Sequence, residues 1–177
     1  MIRFFFIFFI FLILISKNAL GINIVVIDVE KLINTNKEYL EILKKIENNQ
    51  NKNSSLLEEN ELKLENLLNE INESKLVLNE AELNNLIYNY NYELNNFNNK
   101  VESYNLYFQD QIINIRKIIL KKIIELAEKY ARNNKVDLIL DSTSYLIASN
   151  DIDITTIIEE MLKDINLKLE FKNFETN

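Results

Sequence analysis

The chain has 177 residues, a formal net charge of −7, no cysteine, no histidine, no proline and one glycine, Gly21. That inventory excludes thiol and imidazole chemistry, disulfides, the usual zinc sites and Gly-rich phosphate loops. The acidic balance also argues against general nucleic-acid binding.

In chain order, Arg3 forms a short positive segment, Phe4 to Ile15 is an unbroken run of 12 apolar residues, and Ala19-Leu20-Gly21 has the small-residue spacing that signal peptidase reads. The run is too short for an ordinary membrane span, which needs ~20 residues. Residues 1–21 are expected to be a cleavable secretory signal, so that the mature chain starts at Ile22. Cleavage would remove Arg3, Lys17 and no acid, moving the net charge from −7 to −9.

Ile22–Asp28 (INIVVID) is β-branched and predicts a strand. Val29–Asn34 predicts a short helical connector. Helix propensity then dominates from Asn36 to about Asn133. In its first half Leu40, Leu43, Leu57, Leu64, Leu68, Ile71 and Leu78 fit a heptad grid, interrupted at Glu47, Gln50 and Ser54. Glu47–Ser55 (ENNQNKNSS) has no apolar residue. It reads as a solvated helical stretch or a local break, and as the weak point about which an arm would swing.

The reversal is expected at Val77–Asn79, where Asn79 can cap a new helix and Glu82 stands in the capping-box position. The helices then run about Asn36–Leu78 and Glu80–Asn133, the first reaching roughly 65 Å at ~1.5 Å per residue. One continuous helix in an intermolecular coiled coil is the alternative. The second half carries a seam of Leu83, Ile87, Tyr90, Leu94, Phe97, Val101, Tyr104, Phe108, Gln111, Ile115 and Ile118. A run this long, polar over most of its surface, predicts a projecting arm.

After the arm, Val136–Asp141 (VDLILD) predicts a second strand, Ser142–Ser144 a turn and Tyr145–Ala148 a third strand. Asp153 is expected to cap a last helix from Ile154 to about Ile165, with Ile154, Ile157, Ile158, Met161, Leu162 and Ile165 on its apolar face. Asn166–Asn177 alternates charged and apolar residues and fits no element.

Charge is uneven. Ser55–Asn95 holds nine glutamates against Lys63 and Lys75, whereas Ile112–Lys135 holds seven basic residues against Glu125 and Glu128. Asp28, Asp137 and Asp141 flank strands, where aspartate usually serves turns and caps. No nucleophile–base pair, metal cluster or paired carboxylate has a signature here, so no catalytic residue, metal or cofactor is expected and the chain reads as a non-enzyme.

Tyr88, Tyr90 and Tyr92 alternate along a helix that also carries Tyr104, Tyr107 and Phe108. They serve either as bundle core or as an aromatic surface for apolar clients. The candidate client contacts are Tyr88, Tyr92 and Tyr107, with Lys117, Lys121 and Lys122 supplying positive charge. Short apolar strands with two faces to cover also want a symmetric partner, with Ile24, Val26, Leu138 and Leu140 as candidate contacts.

The order of parts resembles the Skp (OmpH-like) family of periplasmic chaperones. The likeness is carried by INIVVID followed by VEKLI, and by VDLILDSTSYLIASNDIDIT running into TIIEEMLKDIN. It implies an α+β, mostly α, fold. A small β body with three strands per protomer (22–35 and 135–177, with the C-terminal helix) would bear a long antiparallel helical-hairpin arm (36–134). It also implies a homotrimer whose arms surround a cavity and hold unfolded outer-membrane or other envelope proteins without ATP. Nucleic acid is not among the implied partners, and only weak membrane-surface contact is. The family's best-known members are strongly basic, whereas this chain is acidic and most acidic at the arm tips. A periplasmic coiled-coil spacer without clients is the alternative function.

Overall fold

The computed structural model describes residues 21–174; the expected signal segment, apart from Gly21, lies outside the described residues. The element order is β1 (Ile24–Ile27), α1 (Val29–Thr35), α2 (Lys37–Ser74), α3 (Glu80–Asn134), β2 (Leu138–Asp141) and α4 (Thr155–Lys163), with 3-10 turns at Ser142–Ser144 and Asn150–Ile152. The fold is mostly α with a small strand element.

The two strands pair in parallel, in register Ile24↔Leu138, Val25↔Ile139, Val26↔Leu140 and Ile27↔Asp141. Parallel neighbours need a long crossover. Here the whole helical hairpin is that crossover, so the arm grows out of the sheet and returns to it.

Polar side chains set each boundary. Asp28 caps α1 by accepting from the Lys31 N–H at 2.8 Å. Asn36 ends α1 and starts α2, its side chain accepting from the Tyr39 N–H at 3.0 Å. At the tip, Asn79 Oδ1 accepts from the Glu82 N–H at 3.0 Å while Glu82 Oε2 accepts from the Asn79 N–H at 3.3 Å. This is the capping box expected from sequence, and Lys75–Leu78 makes the turn before it. With 38 residues α2 spans ~57 Å, shorter than expected because it stops at Ser74. With 55 residues α3 spans ~82 Å. The surplus of α3 runs beside α1, β2 and α4 in the body. It ends at Lys135, which holds the left-handed conformation (φ 54°) that a chain this poor in glycine must give to another residue.

The third expected strand does not form. One edge of β1 pairs with β2, and the other is met by Ile154, whose N–H donates to the Val26 carbonyl at 2.9 Å, with a bridge between Val26 and Asp153. Tyr145–Ala148 joins no ladder, and Leu146 is fully exposed. Val26, expected at an interface between protomers, is instead buried within its own. The Asn150–Ile152 turn packs on β1 there.

One core joins a face of the sheet (Val25, Ile27) to Leu32 and Ile33 of α1, Tyr39, Ile42 and Ile46 of α2, Phe108, Ile115, Ile119, Ile123 and Leu126 of α3, and Ile154, Ile158 and Leu162 around α4. The expected helical seams are displaced in places. Leu40, Leu68 and Ile118 are exposed, and Tyr39, Ile119 and Ile123 are buried instead. Ile157 of α4 is also exposed. Glu47–Ser55 is continuous helix, and Asn53 within it is buried, donating to the Asn49 carbonyl at 2.8 Å.

Candidate functional site

The residues singled out in the sequence do not converge on one pocket. They are strung along the outer length of the molecule. Tyr88 and Tyr92 stand exposed on the distal half of α3. Lys117 and Lys121 are exposed near the body, and Lys122 is half-buried and paired with Glu125 at 2.7 Å. Arg116, from the same basic stretch, is a structural tie. It donates to Tyr39 on α2 and Glu30 on α1, and those bonds, the one to Tyr39 foremost, raise its pKa further. Among the described residues Lys117 and Lys121 form no salt bridge, although Lys121 acts on Glu125 behind Lys122 in lowering its pKa, and both side chains are exposed.

The strand-end aspartates hold the body together. Asp137 Oδ2 accepts from the Asn23 N–H at 2.8 Å, and Asp153 Oδ1 from the Thr155 N–H at 2.8 Å. Asp141 accepts from the Val29 N–H and from both the N–H and the hydroxyl of Thr143. Burial alone would raise the pKa of Asp141, but these hydrogen bonds outweigh it and hold the carboxyl below its usual value. Among the described residues no group of three or more metal-ligating side chains comes together. No helix among them is long and apolar enough to cross a membrane.

Two surfaces carry features that the sequence reading missed. The first is an apolar stripe on the outside of α3. Tyr92, Leu106, Ile113 and Leu120 fall at multiples of seven residues, five positions after seam residues, and all are exposed. That is the heptad position farthest from the seam, ordinarily polar. Ile124 extends the stripe toward the body beside Lys117 and Lys121, with which it lines a shallow cleft.

The second surface is an aromatic groove at the arm root. Tyr104, Tyr107 and Phe108 of α3 meet Phe171 and Phe174 of the C-terminal tail. Phe174 lies 5.2 Å from the Tyr107 ring and 5.9 Å from those of Tyr104 and Phe108, centroid to centroid. Tyr104 is anchored separately, its hydroxyl donating to the Gln50 carbonyl at 3.2 Å, and burial raises its pKa. The tail, unassigned from sequence, runs without regular secondary structure from Leu167 to Phe174, with Leu167 buried and Leu169, Phe171 and Phe174 half-buried. The available signal was the period-2 alternation of Leu167, Leu169 and Phe171.

Residues 23–162 match the family OmpH, outer membrane protein (OmpH-like). The chain belongs to this OmpH-like family. A solved structure from Caulobacter crescentus CB15, described as a candidate OmpH-like outer membrane chaperone, is similar with a TM-score of 0.65 at 11% identity. The similarity covers 92% of this chain and 96% of that one. At that identity the likeness speaks for the fold. No curated protein matches the sequence. For this OmpH-like chain the family assignment supports a chaperone role. The match ends at Leu162, so the tail on the aromatic groove lies outside it.

Proposed function

We propose that the protein is an ATP-independent periplasmic holdase, secreted through a cleavable signal, that keeps unfolded outer-membrane proteins soluble between its arms. The observation that carries this reading is the distribution of apolar surface. The arm extends far beyond the core, yet its distal half still exposes Leu62, Leu68, Ile87, Tyr88 and Tyr92. Such scattered, weak contacts suit a site that must grip many chains and release them without nucleotide. Purified protein should suppress aggregation of a β-barrel protein diluted from denaturant, with no nucleotide present. Absence of suppression at a few-fold excess contradicts the proposal.

The cavity requires a homotrimer, and the body suits one. Ile24 and Leu138, neighbours in register, are both exposed, as are Ile22, Leu146 and Ile147. Apolar surface of this kind on a short sheet wants a symmetric partner. Leu138→Asp, at a position exposed in the protomer, should leave the fold intact and shift the mass toward monomer. Deleting residues 55–99 should shorten the arms and leave the oligomer. Dissociation on that deletion would instead favour a coiled-coil rod without clients, which would also fail to co-purify with diverse envelope proteins.

Lys117, Lys121 and Lys122 place positive charge near the root of the arms, where it would steer acidic chains inward. Reversing these charges should slow client capture at low salt more than at high salt. Capture rates that keep the same salt dependence would remove the electrostatic part.

A further inference from the structure

The tail on the aromatic groove is held by an unusual set of contacts. Glu38 Oε1 accepts from the Leu167 N–H at 3.1 Å, the Tyr107 hydroxyl donates to the Lys172 carbonyl at 2.6 Å, and Asn49 Oδ1 accepts from the Phe174 N–H at 2.9 Å. Each of these bonds joins an arm side chain to the main chain of the tail. None reads the identity of a tail residue. What the groove does select is a pattern: Leu167, Leu169, Phe171 and Phe174 turn toward the arm while Lys168, Glu170, Lys172 and Asn173 stay exposed. Main-chain hydrogen bonds combined with apolar pockets for spaced side chains are a general way to bind extended polypeptide.

We propose that this groove is a docking site for an extended polypeptide segment with spaced aromatic and aliphatic side chains, and that the chain's own residues 170–174 are its resident occupant. An unfolded client segment of the same pattern would displace them. This deepens the holdase reading and rests on it for the identity of the displacing chain.

Three observations support exchange over permanent attachment. Phe171 and Phe174 are only half-buried, whereas Phe108 beneath them is 2% exposed, so lifting the strap uncovers an apolar floor. Lys168, just before the strap, holds φ 52°, a sparsely populated conformation for lysine that costs free energy while the tail is held there. The Tyr104 hydroxyl is anchored on the Gln50 carbonyl, a bond that involves no tail residue. The polar stretch Glu47–Ser55 thereby acquires a role: it supplies Asn49 and the Gln50 carbonyl to the wall of the groove.

The test uses a labelled peptide of residues 166–174 and the mature chain truncated after Leu169, which keeps Leu167 and Leu169 in place. Fluorescence anisotropy should show the peptide binding the truncated chain. It should bind the full chain at least about tenfold more weakly, because a tethered competitor acts at an effective concentration in the mM range. The same peptide with both phenylalanines changed to serine should not bind. Phe171→Ser with Phe174→Ser in the full chain, a second route should the truncated chain misfold, should open the groove to the peptide to the same extent.

Equal peptide affinity for the full and opened chains, or no binding to an opened chain of unchanged helicity and mass, overturns the docking site. Aggregation suppression is measured on the same samples. Suppression without peptide binding sinks the groove alone. Peptide binding without suppression upholds a peptide-docking groove and overturns its use by clients.

Discussion

The root and the tip of the arm are built from the same two helices but packed differently. At the root, α1, α4, the sheet and the tail surround α2 and α3, and Ile46, Ile119 and Ile123 are at most 1% exposed. Toward the tip, among the described residues, only two helices face each other, and no third element completes the cover. Among the described residues, only Asn53, Leu64 and Ile71 are buried in α2 beyond Ile46. Leu83, Tyr90, Leu94, Phe97 and Val101 of α3 reach only partial burial. Between the distal helices Asn60, Leu64, Asn96 and Phe97 line an open cleft of about 280 Å³. A heptad seam fixes which face turns inward. How dry that face becomes depends on how many neighbours surround it.

The largest effect that should separate the two regions is cavity formation. Ile119→Ala at the root should cost about 3 kcal/mol in chemical denaturation, while Leu62→Ala near the tip should stay within about 0.5 kcal/mol. Equal costs would break the comparison. A smaller effect should come from the buried polar residue between them. Asn53→Leu should stabilise the arm by roughly 1 kcal/mol while loosening its register, as removal of a polar seam residue does in coiled coils; differential scanning calorimetry reads the first and cross-linking of the arm the second.

Smaller again, Lys135→Gly should raise stability by roughly 0.5–1 kcal/mol, since glycine adopts φ > 0 without the side-chain penalty. The melting temperature reads it.

The smallest effect is a pH dependence confined to the body. The carboxyl of Asp141 titrates below its ordinary value because its hydrogen bonds favour the anion. Its stabilisation is therefore complete above the unfolded carboxyl value of about 3.9. It is lost as the pH falls through the lower folded value. Asp141→Asn should flatten the decline in melting temperature below about pH 4 and leave the profile above it unchanged.

Much of this architecture is legible in the sequence because it is local. The Asn79 and Glu82 capping box marks the reversal without glycine or proline, a β-branched run marks the first strand, and the short apolar run Leu138–Leu140 marks the second. The seam register is less legible. Tyr39 and Leu40, Ile42 and Leu43, Leu67 and Leu68, and Ile118 and Ile119 are adjacent apolar pairs, and a heptad grid accepts either member. The kink at Asn36 and the contact between Arg116 and Tyr39 settle the first pair. The missing third strand and the seated tail depend on tertiary partners. Tyr145–Ala148 has strand propensity but pairs with neither strand of the sheet. Phe171 and Phe174 find their floor on α3, more than sixty residues upstream of each, with the Tyr107 hydroxyl reaching the Lys172 carbonyl 65 residues further along the chain. Glu38 and Asn49, which hold the tail, look in sequence like ordinary solvated helix surface.

The central claim is that a stiff root carries a compliant distal arm that closes on unfolded chains. Hydrogen–deuterium exchange of the mature protein, alone and with an unfolded β-barrel protein, tests it most directly. Without client, amides of residues 56–100 should exchange much faster than those of residues 108–130, following local packing. With client, protection should rise along the distal arm around Leu62, Tyr88 and Tyr92, while residues 108–130 stay unchanged. Uniform exchange along the free arm, or a distal arm whose exchange ignores the client, would contradict the account.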